Sequence, residues 1–458
     1  MPELAEDSTA KHTTYFYTPE NFAGEHELAY YVKRIIKAKV DAIPEVTEGL
    51  KEDQPKAVHL ACTQPLSILR GRPGTGKTTT LRQIVESFDN AGLSGAIFAP
   101  TGKARKRADE VVNDPGKKPF KNAPECKTIH RGLEYSPTDG GFKFGPRKNL
   151  DYDYVILDEF SMAGLSIAKS LFSAINPKKT RVILCGDPNQ LPSVDSGNVM
   201  HDLIMSRAIP DTNLNYLFRQ GADSGIAYNA GRILNGEDLA KTDPKTGELF
   251  NDFYFVEKRD PELARDYIIN CVSESIPENR NLKHADIQVL SPGKKSEVGT
   301  VALNDGLRDR INPGKGGGYR GLRVGDRVIN RKNNYELEIV NGDVGTVIST
   351  GNHGLTINFG PGAGPEGDGL VELNADNAES VYLAYAFTVH SSQGSEFPVC
   401  VIPLFKAHYR LLFRNMLYTG ATRPKQLTLL VGDPLALKLC IDTSVVDKRS
   451  TGLQGLLR

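Results

Sequence analysis

A glycine-rich segment, GRPGTGKT from Gly71 to Thr78, lies between an apolar stretch and a stretch with helical spacing. Glycines let backbone N–H groups approach phosphates, the Lys77 ammonium can contact the β- and γ-phosphates, and the Thr78 hydroxyl can ligate Mg²⁺. The order of strand, loop and helix favours a nucleotide-binding loop over a chance glycine-rich turn. The predicted nucleotide contacts in and beside this loop are Gly71, Pro73, Gly74, Thr75, Gly76, Lys77, Thr78 and Thr79.

Two carboxylates, Asp158 and Glu159, end a second apolar strand in the segment VILDEF. We expect Asp158 to hold Mg²⁺ through water and Glu159 to orient and deprotonate the attacking water. An acidic strand end on a solvated loop is the alternative, and the phosphate-binding loop upstream disfavours it. The second carboxylate indicates hydrolysis of the nucleotide and not binding alone.

A third apolar strand leads into LCGDPNQLPSV, residues 184–194, where Asp187 and Gln190 follow the strand. From this place the Gln190 side chain could reach the γ-phosphate or the attacking water. Taken alone, the segment fits a polar, proline-containing turn nearly as well.

The composition excludes several classes of protein. The 458 residues correspond to roughly three domains, and 39% hydrophobic with 24% charged residues exclude wholesale disorder. No apolar run reaches the roughly 18–20 residues of a membrane helix, and the polar amino terminus lacks a signal-peptide core, so we expect a cytoplasmic chain. Lys plus Arg and Asp plus Glu number 56 each. This balance argues against a purely electrostatic polyanion binder but allows a local basic groove.

Cysteine spacing and hydrophobic periodicity complete the outline. The six cysteines have no close metal-ligand spacing and predict buried thiols in a reducing compartment. Apolar positions predict a helix over 25–40, and strands alternate with helices from about 54 to 205, which implies a parallel sheet covered on both faces. Short strands divided by Gly, Asn and Asp turns follow residue 321 and indicate a small β-barrel. The α/β pattern then returns.

Eight motifs together resemble those of the superfamily 1B helicases, most strongly the RecD-like branch. In order along the chain they are GRPGTGKTT, APTGKAR (99–105), TIHRGL (128–133), ILDEFSM (156–162), GDPNQLPSV, LNYLFRQ (214–220), AYAFTVHSSQGSEFPVCV (384–401) and LYTGATRPK (417–425). The resemblance covers residues 46–435 approximately. It implies an α/β fold with two RecA-like P-loop motor domains, a small β-hairpin insert in the first and an SH3-like β-barrel insert in the second.

The resemblance also implies domain limits. The implied units are an N-terminal helical segment (1–45), a first RecA-like domain (46–205) with a strand-separating hairpin near 133–150, the first part of a second RecA-like domain (206–320), the SH3-like insert (321–378) and the second part of that domain (379–458). Phe142 and Phe144 belong to the hairpin, for which simple packing is the alternative.

Further nucleotide contacts follow from the same resemblance. Gln54 resembles the glutamine that reads the adenine edge, although a solvated helix residue is the alternative. Arg219 and Arg423 resemble arginine fingers, which stabilise transition-state charge. For an isolated arginine a surface ion pair is the alternative. Gly394 and Glu396 resemble contacts to the γ-phosphate and the ribose.

The implied nucleic-acid track combines small hydroxyls, a lysine and imidazoles, which suit phosphate and sugar contacts. For each of these residues an ordinary loop or helix-cap role is the alternative. The implied track residues are Thr101, Lys103, Thr128, His130, Thr388, His390 and Ser391.

A RecD-like helicase would couple hydrolysis of Mg-ATP to movement along single-stranded DNA, 5′ to 3′ by resemblance, and would separate strands at forked or tailed duplexes. We expect a monomer without membrane contact, and the sequence does not identify its replication or recombination partners. A superfamily 1 RNA helicase remains an alternative. So does a nucleotide-gated clamp or remodeller that holds single strands without unwinding.

Overall fold

The structure, a computed structural model, describes residues 17–136, 140–216, 224–314, 318–334, 336–351, 353–361, 363–444 and 449–458. The strands of the amino-terminal half are β1 (Leu66–Gly71), β2 (Gly95–Ala99), β3 (Glu125–Thr128), β4 (Tyr135–Ser136), β5 (Gly141–Phe142), β6 (Tyr154–Leu157), β7 (Arg181–Gly186) and β8 (Asp211–Leu214). Its helices are α1 (Pro19–Ile36), α2 (Gln54–Thr63), α3 (Lys77–Asn90), α4 (Gly102–Val112), α5 (Ile129–Gly132), α6 (Leu165–Ser173) and α7 (Val199–Ser206).

Six of these strands form a parallel sheet in the spatial order β3-β2-β6-β7-β1-β8. Its central strands β6 and β7 are buried along their whole length. Alternate residues of each strand enter different cores: Phe98 and Leu157 pack on the side of α1 and α6, whereas Ile97 and Ile156 pack on the side of α2 and α3. Cores on both faces explain the continuous apolar strands and confirm the parallel sheet.

The first helix begins earlier than its apolar pattern predicts. It starts at Pro19 because the Thr18 hydroxyl accepts a hydrogen bond from the Asn21 N–H at 3.3 Å and proline suits the first helical position. It ends at Ile36, and it packs against α6. The hairpin of β4 and β5 is antiparallel, with Tyr135 opposite Phe142. Residues 137–139 of its turn lie outside the described part of the chain.

The strands of the carboxyl-terminal half are β9 (Phe253–Glu257), β10 (Ile287–Ser291), β11 (Arg327–Asn330), β12 (Val344–Thr350), β13 (Gly354–Asn358), β14 (Leu370–Asn374), β15 (Val381–Leu383), β16 (Ala386–Thr388), β17 (Phe397–Leu404) and β18 (Pro424–Gly432). Its helices are α8 (Gly225–Asn235), α9 (Pro261–Asn270), α10 (Ile276–Arg280), α11 (Thr300–Ile311), α12 (Ala375–Ala378), α13 (Arg414–Ala421), α14 (Pro434–Asp442) and α15 (Leu453–Leu457).

A second parallel sheet, ordered β16-β10-β17-β18-β9, carries one core on each face. Between β10 and β16 the chain forms a separate antiparallel sheet, ordered β14-β13-β12-β11-β15, with its own small core around Val347 and Ile357. We call this antiparallel sheet and its loops, residues 321–383, the β-insert. Its position agrees with the short-strand pattern, and its closure into an SH3-like barrel stays a prediction.

The carboxyl-terminal tail differs from its predicted place with the second parallel sheet. Leu453 and Leu457 of α15 are buried in the core of the first sheet, against α1 and α7. The Gly452 N–H donates to the Glu25 carboxylate at 2.8 Å, and Arg449 donates to the Ser193 and Gly197 carbonyl oxygens. Residues 449–458 therefore belong with the first sheet, because the two leucines complete an apolar surface that α1 and α7 leave open.

Candidate nucleotide cleft and nucleic-acid track

A cavity of about 330 Å³ lies between the carboxyl edge of the first sheet and elements of the second, a volume typical of small-ligand pockets. Most of the predicted nucleotide residues line it: Pro73, Gly74, Gly76, Lys77, Thr78, Thr79, Asp158, Glu159, Gln190, Glu396 and Arg423. Sequence reasoning did not include the remaining lining residues, which are Leu81, Arg107, Ala108, Val111, Cys185 and Thr422.

The glycine-rich loop forms one wall of this cavity. Gly74 and Gly76 have φ angles of +82° and +80°, which glycine adopts without strain, and they bring the loop directly into α3 at Lys77. The Lys77 ammonium donates to the carbonyl oxygens of Gly71 at 2.5 Å and Arg72 at 3.0 Å. The loop therefore places a cation and the amino-terminal end of a helix at one point, an arrangement that favours phosphate.

Four predicted contacts, Gly71, Thr75, Gln54 and Gly394, are not among the residues that line the cavity. Gln54 is buried, and its side-chain amide donates to the Gly76 carbonyl oxygen at 3.2 Å. Its side-chain oxygen accepts from the Lys51 N–H at 3.0 Å. Both ends of this carboxamide thus hold backbone, so Gln54 supports the loop from beneath.

Asp158 and Glu159 follow β6 and face the loop across the cavity. Burial and the neighbouring Glu159 carboxylate raise the pKa of Asp158, while Arg107 and Lys77 act in the opposite direction. Glu159 has a φ of +50°, a strained conformation for a residue with a side chain. Within the described residues its buried Oε2 atom has no hydrogen-bond partner. Paired carboxylates of this kind fit Mg²⁺, which takes one or two carboxylates together with substrate phosphates.

Gln190 lies in the turn after β7 and is buried. We call the first parallel sheet with its flanking helices the first unit, and the second parallel sheet with its flanking helices the second unit. The turn is held by the second unit as well as by its own strand. The Tyr418 hydroxyl of α13 donates to the Asp187 Oδ2 atom at 2.8 Å. Asp187 and Tyr418 are both fully buried, so this bond joins the two units inside the protein.

Arg423 enters the cavity from the second unit, directly after α13, and is 4% exposed. Its Nε donates to the Thr419 carbonyl oxygen at 3.2 Å, and Nη1 donates to the Ser395 carbonyl oxygen at 3.3 Å. Among the residues described, the buried Nη2 atom has no hydrogen-bond partner. The guanidinium is thus fixed on one side and unpaired on the other. Arg219, the second predicted finger, lies outside the described residues.

Glu396 also comes from the second unit, and it forms ion pairs. Its Oε1 accepts from Arg107 Nη2 at 2.9 Å, and its Oε2 lies 3.3 Å from the Lys425 ammonium. Gly394 has a φ of +73° and lies close to α4, because a β-carbon at this position would be 3.6 Å from that of Ala104. The segment of Gly394 and Glu396 therefore contacts α4 of the first unit.

The three predicted track threonines are helix caps. The hydroxyl of Thr101 accepts from the Ala104 N–H at 3.2 Å, and that of Thr128 accepts from the Arg131 N–H at 3.3 Å. Thr388 accepts from the Ser391 N–H at 3.4 Å in the same way. Each hydroxyl has a local structural partner, as the alternative interpretation of these residues expects.

Lys103 lies between the units. Its ammonium is 5.8 Å from the centre of the Phe397 ring, and its Cδ is 3.9 Å from the β-carbon position of Gly342 in the β-insert. Burial lowers the pKa of Lys103 to about 8, with Asp343 acting in the opposite direction. The next turn of α4 is tied to the same loop, since the Lys106 ammonium donates to the Asp343 carboxylate at 2.9 Å. An open phosphate contact is therefore a less natural role for Lys103 than an interface role.

His130 is exposed and belongs to a cluster of three rings at the base of the β4–β5 hairpin. Its ring centre lies 5.9 Å from that of Tyr135 and 5.7 Å from that of Phe142. Tyr135 is 46% exposed, while Phe142 and Phe144 pack partly against the first core. Although the residue as a whole is exposed, partial desolvation of its imidazole lowers the pKa of His130 below its ordinary value. We call His130, Tyr135 and Phe142 the hairpin ring cluster.

The second half of the predicted track lies beside the β-insert. The Ser391 hydroxyl is 2.9 Å from the Thr388 hydroxyl and accepts from Arg331 Nη1 at 3.3 Å. The Arg331 guanidinium also lies 5.9 Å from the ring centre of Tyr382, which is half exposed. Burial lowers the pKa of His390. The structure thus joins Thr388 and Ser391 to a cation of the β-insert.

Several site residues were missed because their signal is not local. Arg107 is an ordinary helix cation in the sequence, and only the meeting of α4 with Glu396 reveals its place. Tyr418 lies inside the recognised segment LYTGATRPK, but nothing in that segment indicates a partner 231 residues away. The sequence signal that was available is membership of a recognised motif, which marks the segment and not the pair.

Among the residues that the structure describes, no group of three or more His, Cys, Asp or Glu side chains could hold a metal ion. No helix in the described ranges has both the length and the apolar character that a membrane span requires.

The sequence matches two family models. A model described as an AAA domain matches residues 49–245, and one described as a UvrD-like helicase C-terminal domain matches residues 383–431. The Pif1 helicase in a structure of DNA unwinding at forked duplex DNA by two coordinating Pif1 helicases has a TM-score of 0.53 and 19% identity, with 87% of this chain and 96% of that chain covered. This likeness shows the two-domain α/β fold.

Two relatives extend the match across nearly the whole chain. The ATP-dependent RecD2 DNA helicase of Deinococcus radiodurans is 32% identical over 437 residues, which cover 93% of this chain and 56% of that protein. The RecBCD enzyme subunit RecD of Mycolicibacterium smegmatis is 28% identical, with 91% and 77% covered. The chain thus spans little more than half the length of the first relative. Together these matches support a RecD-like superfamily 1 helicase.

Proposed function

We propose that this chain is an ATP-dependent DNA helicase that moves along single-stranded DNA and separates strands at forked or tailed duplexes. The observation that carries the proposal is the content of one cavity. Lys77 and the carboxylates of Asp158 and Glu159 face it from the first unit, and Arg423 faces it from the second. A cation for phosphate, an acidic pair for metal and water, and an arginine from a facing unit are the parts that nucleotide hydrolysis requires.

The proposed roles follow from these positions. Lys77 binds the β- and γ-phosphates, and Thr78 with Asp158 would hold Mg²⁺. When bound, Mg²⁺ would neutralise phosphate charge. Glu159 positions the attacking water and takes its proton through the carboxylate oxygen that has no partner among the described residues. Gln190 orients the same water or the γ-phosphate.

Arg423 stabilises the developing charge with the Nη2 atom that the protein itself does not pair in the described residues. Arg219 is proposed as a second finger on the motif resemblance alone. Glu396 is proposed as the ribose contact, since it lines the same cavity. Gly394 is proposed to approach the γ-phosphate.

Movement requires that the two units respond to the nucleotide. Contacts from Arg423 and Glu396 to a bound nucleotide favour the closed arrangement, and hydrolysis removes part of that preference, so the cycle shifts the units relative to each other. We propose that the DNA strand crosses both units between the hairpin ring cluster and the segment of Thr388, His390 and Ser391. The predicted domain limits, except for residues 449–458, describe the moving parts.

The proposed track comprises contacts that position a strand without reading its sequence. Its proposed members from the sequence are Thr101, Thr128, His130, Thr388, His390 and Ser391. Backbone N–H groups at the helix starts that the threonines cap would also contact phosphate. Lys103 is the weakest member, because it lies at the interface between the units.

Unwinding of partial duplexes tests the proposal. Duplexes with a 5′ tail, a 3′ tail or no tail are mixed with the protein with and without ATP, and strand separation is followed on a gel. We expect ATP-dependent separation of the 5′-tailed substrate. Separation of the 3′-tailed substrate alone would reverse the proposed direction. Hydrolysis stimulated by single strands without any separation would favour the clamp, and stronger stimulation by RNA than by DNA would favour an RNA helicase.

A further inference from the structure

The turn that carries Gln190 is bonded to side chains of the second unit. Five hydrogen bonds connect them: Tyr418 Oη to Asp187 Oδ2 at 2.8 Å, the Leu191 N–H to Thr419 Oγ1 at 2.8 Å, Asn415 Nδ2 to the Asn189 carbonyl oxygen at 2.8 Å and to the Gln190 carbonyl oxygen at 3.4 Å, and Gln393 Nε2 to the Leu191 carbonyl oxygen at 3.0 Å. We call Gln393, Asn415, Tyr418 and Thr419 the clasp.

The clasp is enclosed, so its bonds are not exchanged for water. Asp187, Tyr418 and Thr419 are fully buried, and the other two members of the clasp are at most 8% exposed. The second Asp187 oxygen accepts from the Asn189 N–H at 3.0 Å, so both of its carboxylate oxygens have partners. A charged acceptor that has lost one of these partners inside the protein would pay the desolvation of that oxygen.

The helix that carries three of the four clasp residues, α13, also holds the arginine of the cleft. Thr419 makes both connections: its hydroxyl accepts from the Leu191 N–H, and its carbonyl oxygen accepts from Arg423 Nε at 3.2 Å. Gln190 lies between Asn189 and Leu191, whose backbone groups the clasp binds. Gln190 and Arg423 are therefore fixed to α13, although one follows a strand of the first sheet and the other precedes a strand of the second.

We infer that the clasp makes Gln190 and Arg423 enter and leave the cleft as one unit, and that Tyr418 is a positioning residue for ATP hydrolysis. This inference rests on the proposed function. If Gln190 belonged only to the first unit, closure would bring Arg423 to the nucleotide while Gln190 stayed with the phosphate-binding loop. With the clasp, the hydrolytic arrangement is completed only when α13 is in place, so turnover depends on the position of the second unit.

A matched pair of tyrosines tests the role of the hydroxyl. Tyr154 is as fully buried as Tyr418, but in the described residues its hydroxyl has no hydrogen-bond partner. Tyr418→Phe and Tyr154→Phe therefore remove the same atom from equally buried positions. We expect kcat of DNA-stimulated ATP hydrolysis to fall about tenfold or more in Tyr418→Phe, the scale of one lost bond to a buried charge. The KM for ATP and the affinity for a single-stranded oligonucleotide should stay within about twofold of wild type.

A second pair addresses the other side of the clasp. Thr419→Ser keeps the hydroxyl that accepts from Leu191, and Thr419→Val removes it with little change in volume. We expect the serine variant to retain turnover and the valine variant to lose it. Melting curves of all four variants show whether a loss of turnover comes from a loss of folded protein. Unfolded protein would lower turnover and the number of ATP-binding sites by the same factor.

The decisive measurement places Tyr418→Phe in a Gln190→Ala background. If Tyr418 acts through Gln190, the second substitution costs no further turnover, whereas independent roles multiply the two losses. Multiplied losses, or a Tyr418→Phe protein that turns over ATP like wild type and Tyr154→Phe, would overturn the clasp and leave the proposed function intact. Absence of DNA-stimulated hydrolysis in wild type and in Tyr154→Phe would overturn the proposed function and the clasp with it.

Discussion

Arg107 of α4 and Glu396 of the second unit form an ion pair across the nucleotide cavity, with Nη2 2.9 Å from Oε1. Neither residue is deeply enclosed, since their side chains are 32% and 15% exposed. A pair of this kind contributes at most about 1 kcal/mol to stability. The position of the ion pair matters because the Glu396 carboxylate is also the proposed ribose contact. It cannot bind Arg107 and the ribose fully at the same time.

Substitution of Glu396 by glutamine distinguishes the two uses of this carboxylate. If Glu396 accepts from the ribose 2′-hydroxyl, Glu396→Gln should reduce the preference for ATP over 2′-deoxy-ATP, and Arg107→Gln should leave that preference unchanged. Equilibrium binding of both nucleotides to the three proteins measures it. Equal losses for ATP and 2′-deoxy-ATP in Glu396→Gln would limit Glu396 to its ion pairs with Arg107 and Lys425.

The acidic pair is tested by separating binding from hydrolysis. Lys77→Ala should remove ATPase activity and weaken nucleotide binding, because the proposed role of the ammonium is to bind the phosphates in the ground state and in the transition state of hydrolysis. Glu159→Gln should keep nucleotide binding and block turnover, since an amide cannot take the proton of the attacking water. Steady-state hydrolysis and nucleotide affinity are measured on both variants. Substantial turnover in Glu159→Gln would show that another group activates the water.

Lys103 gives the stability of the protein a pH dependence. Burial lowers the pKa of Lys103 in the folded protein to about 8 from an ordinary value of 10.5. Between these two values the unfolded chain binds more protons at this site than the folded chain, so the contribution of Lys103 to stability increases as pH rises through this window. Lys103→Met should remove that increase.

Urea unfolding across the window measures this contribution, and Lys117→Met, which alters an exposed lysine, is the matched control. The difference in unfolding free energy between wild type and Lys103→Met should change with pH, while the difference for Lys117→Met should stay flat. A flat difference for Lys103→Met as well would mean that the ammonium is open to solvent and available to phosphate.

The sequence predicts the parts of this protein that local patterns specify. The sequence predicts the phosphate-binding loop after β1 and the acidic pair after β6, where the structure has these residues. Both positions can be predicted because glycine positions and apolar runs are recognised within a few residues. The parallel pairing of the first sheet follows from its continuous apolar strands, and the return of the α/β pattern after the β-insert agrees with the second sheet. Contacts between distant segments have no such local signal. The bond of Tyr418 to Asp187 and the pairing of Arg107 with Glu396 required the folded chain.

Other differences have physical causes that a pattern does not carry. In a sequence, a threonine before a helix looks the same whether it caps the helix or contacts phosphate. Thr101 and Thr128 are caps in the structure. The tail helix with Leu453 and Leu457 is five residues long, too short for a periodic pattern to indicate which core receives it. Lys103 is enclosed because α4 lies close to the β-insert. The sequence pattern does not indicate how these two parts of the chain meet.

We expect a base of single-stranded DNA to stack on the hairpin ring cluster. Tyr135→Ala should weaken binding of a single-stranded oligonucleotide by about 1–3 kcal/mol if one base stacks on this cluster. Tyr254→Ala is the control, because Tyr254 is 40% exposed on β9, the edge strand farthest from β16 and its track residues. Affinity should be nearly independent of sequence and should fall with salt as phosphate counterions are released. A sequence preference that persists at high salt would indicate base readout instead.

Arg423 carries the prediction that tests coupling across the cleft. Its guanidinium is fixed by the Thr419 and Ser395 carbonyl oxygens, and the residue lines the cavity. Arg423→Ala should reduce DNA-stimulated turnover by at least about 10³-fold, the low end for an arginine that stabilises transferring phosphoryl charge. Nucleotide affinity should fall far less, since the interaction is strongest in the transition state. Arg423→Lys should restore little, because an ammonium lacks the planar fork.

The affinity for single-stranded DNA without nucleotide separates this role from a track or structural role. Arg423 lines the nucleotide cavity and no residue of the hairpin ring cluster does, so this affinity should stay close to that of wild type. Steady-state hydrolysis with saturating oligonucleotide, nucleotide binding and oligonucleotide binding are measured on one preparation of each variant. Near-normal turnover in Arg423→Ala would remove Arg423 from the reaction. A loss confined to DNA affinity would assign it to the track, because a cation that serves phosphate contacts changes binding without changing the barrier to hydrolysis.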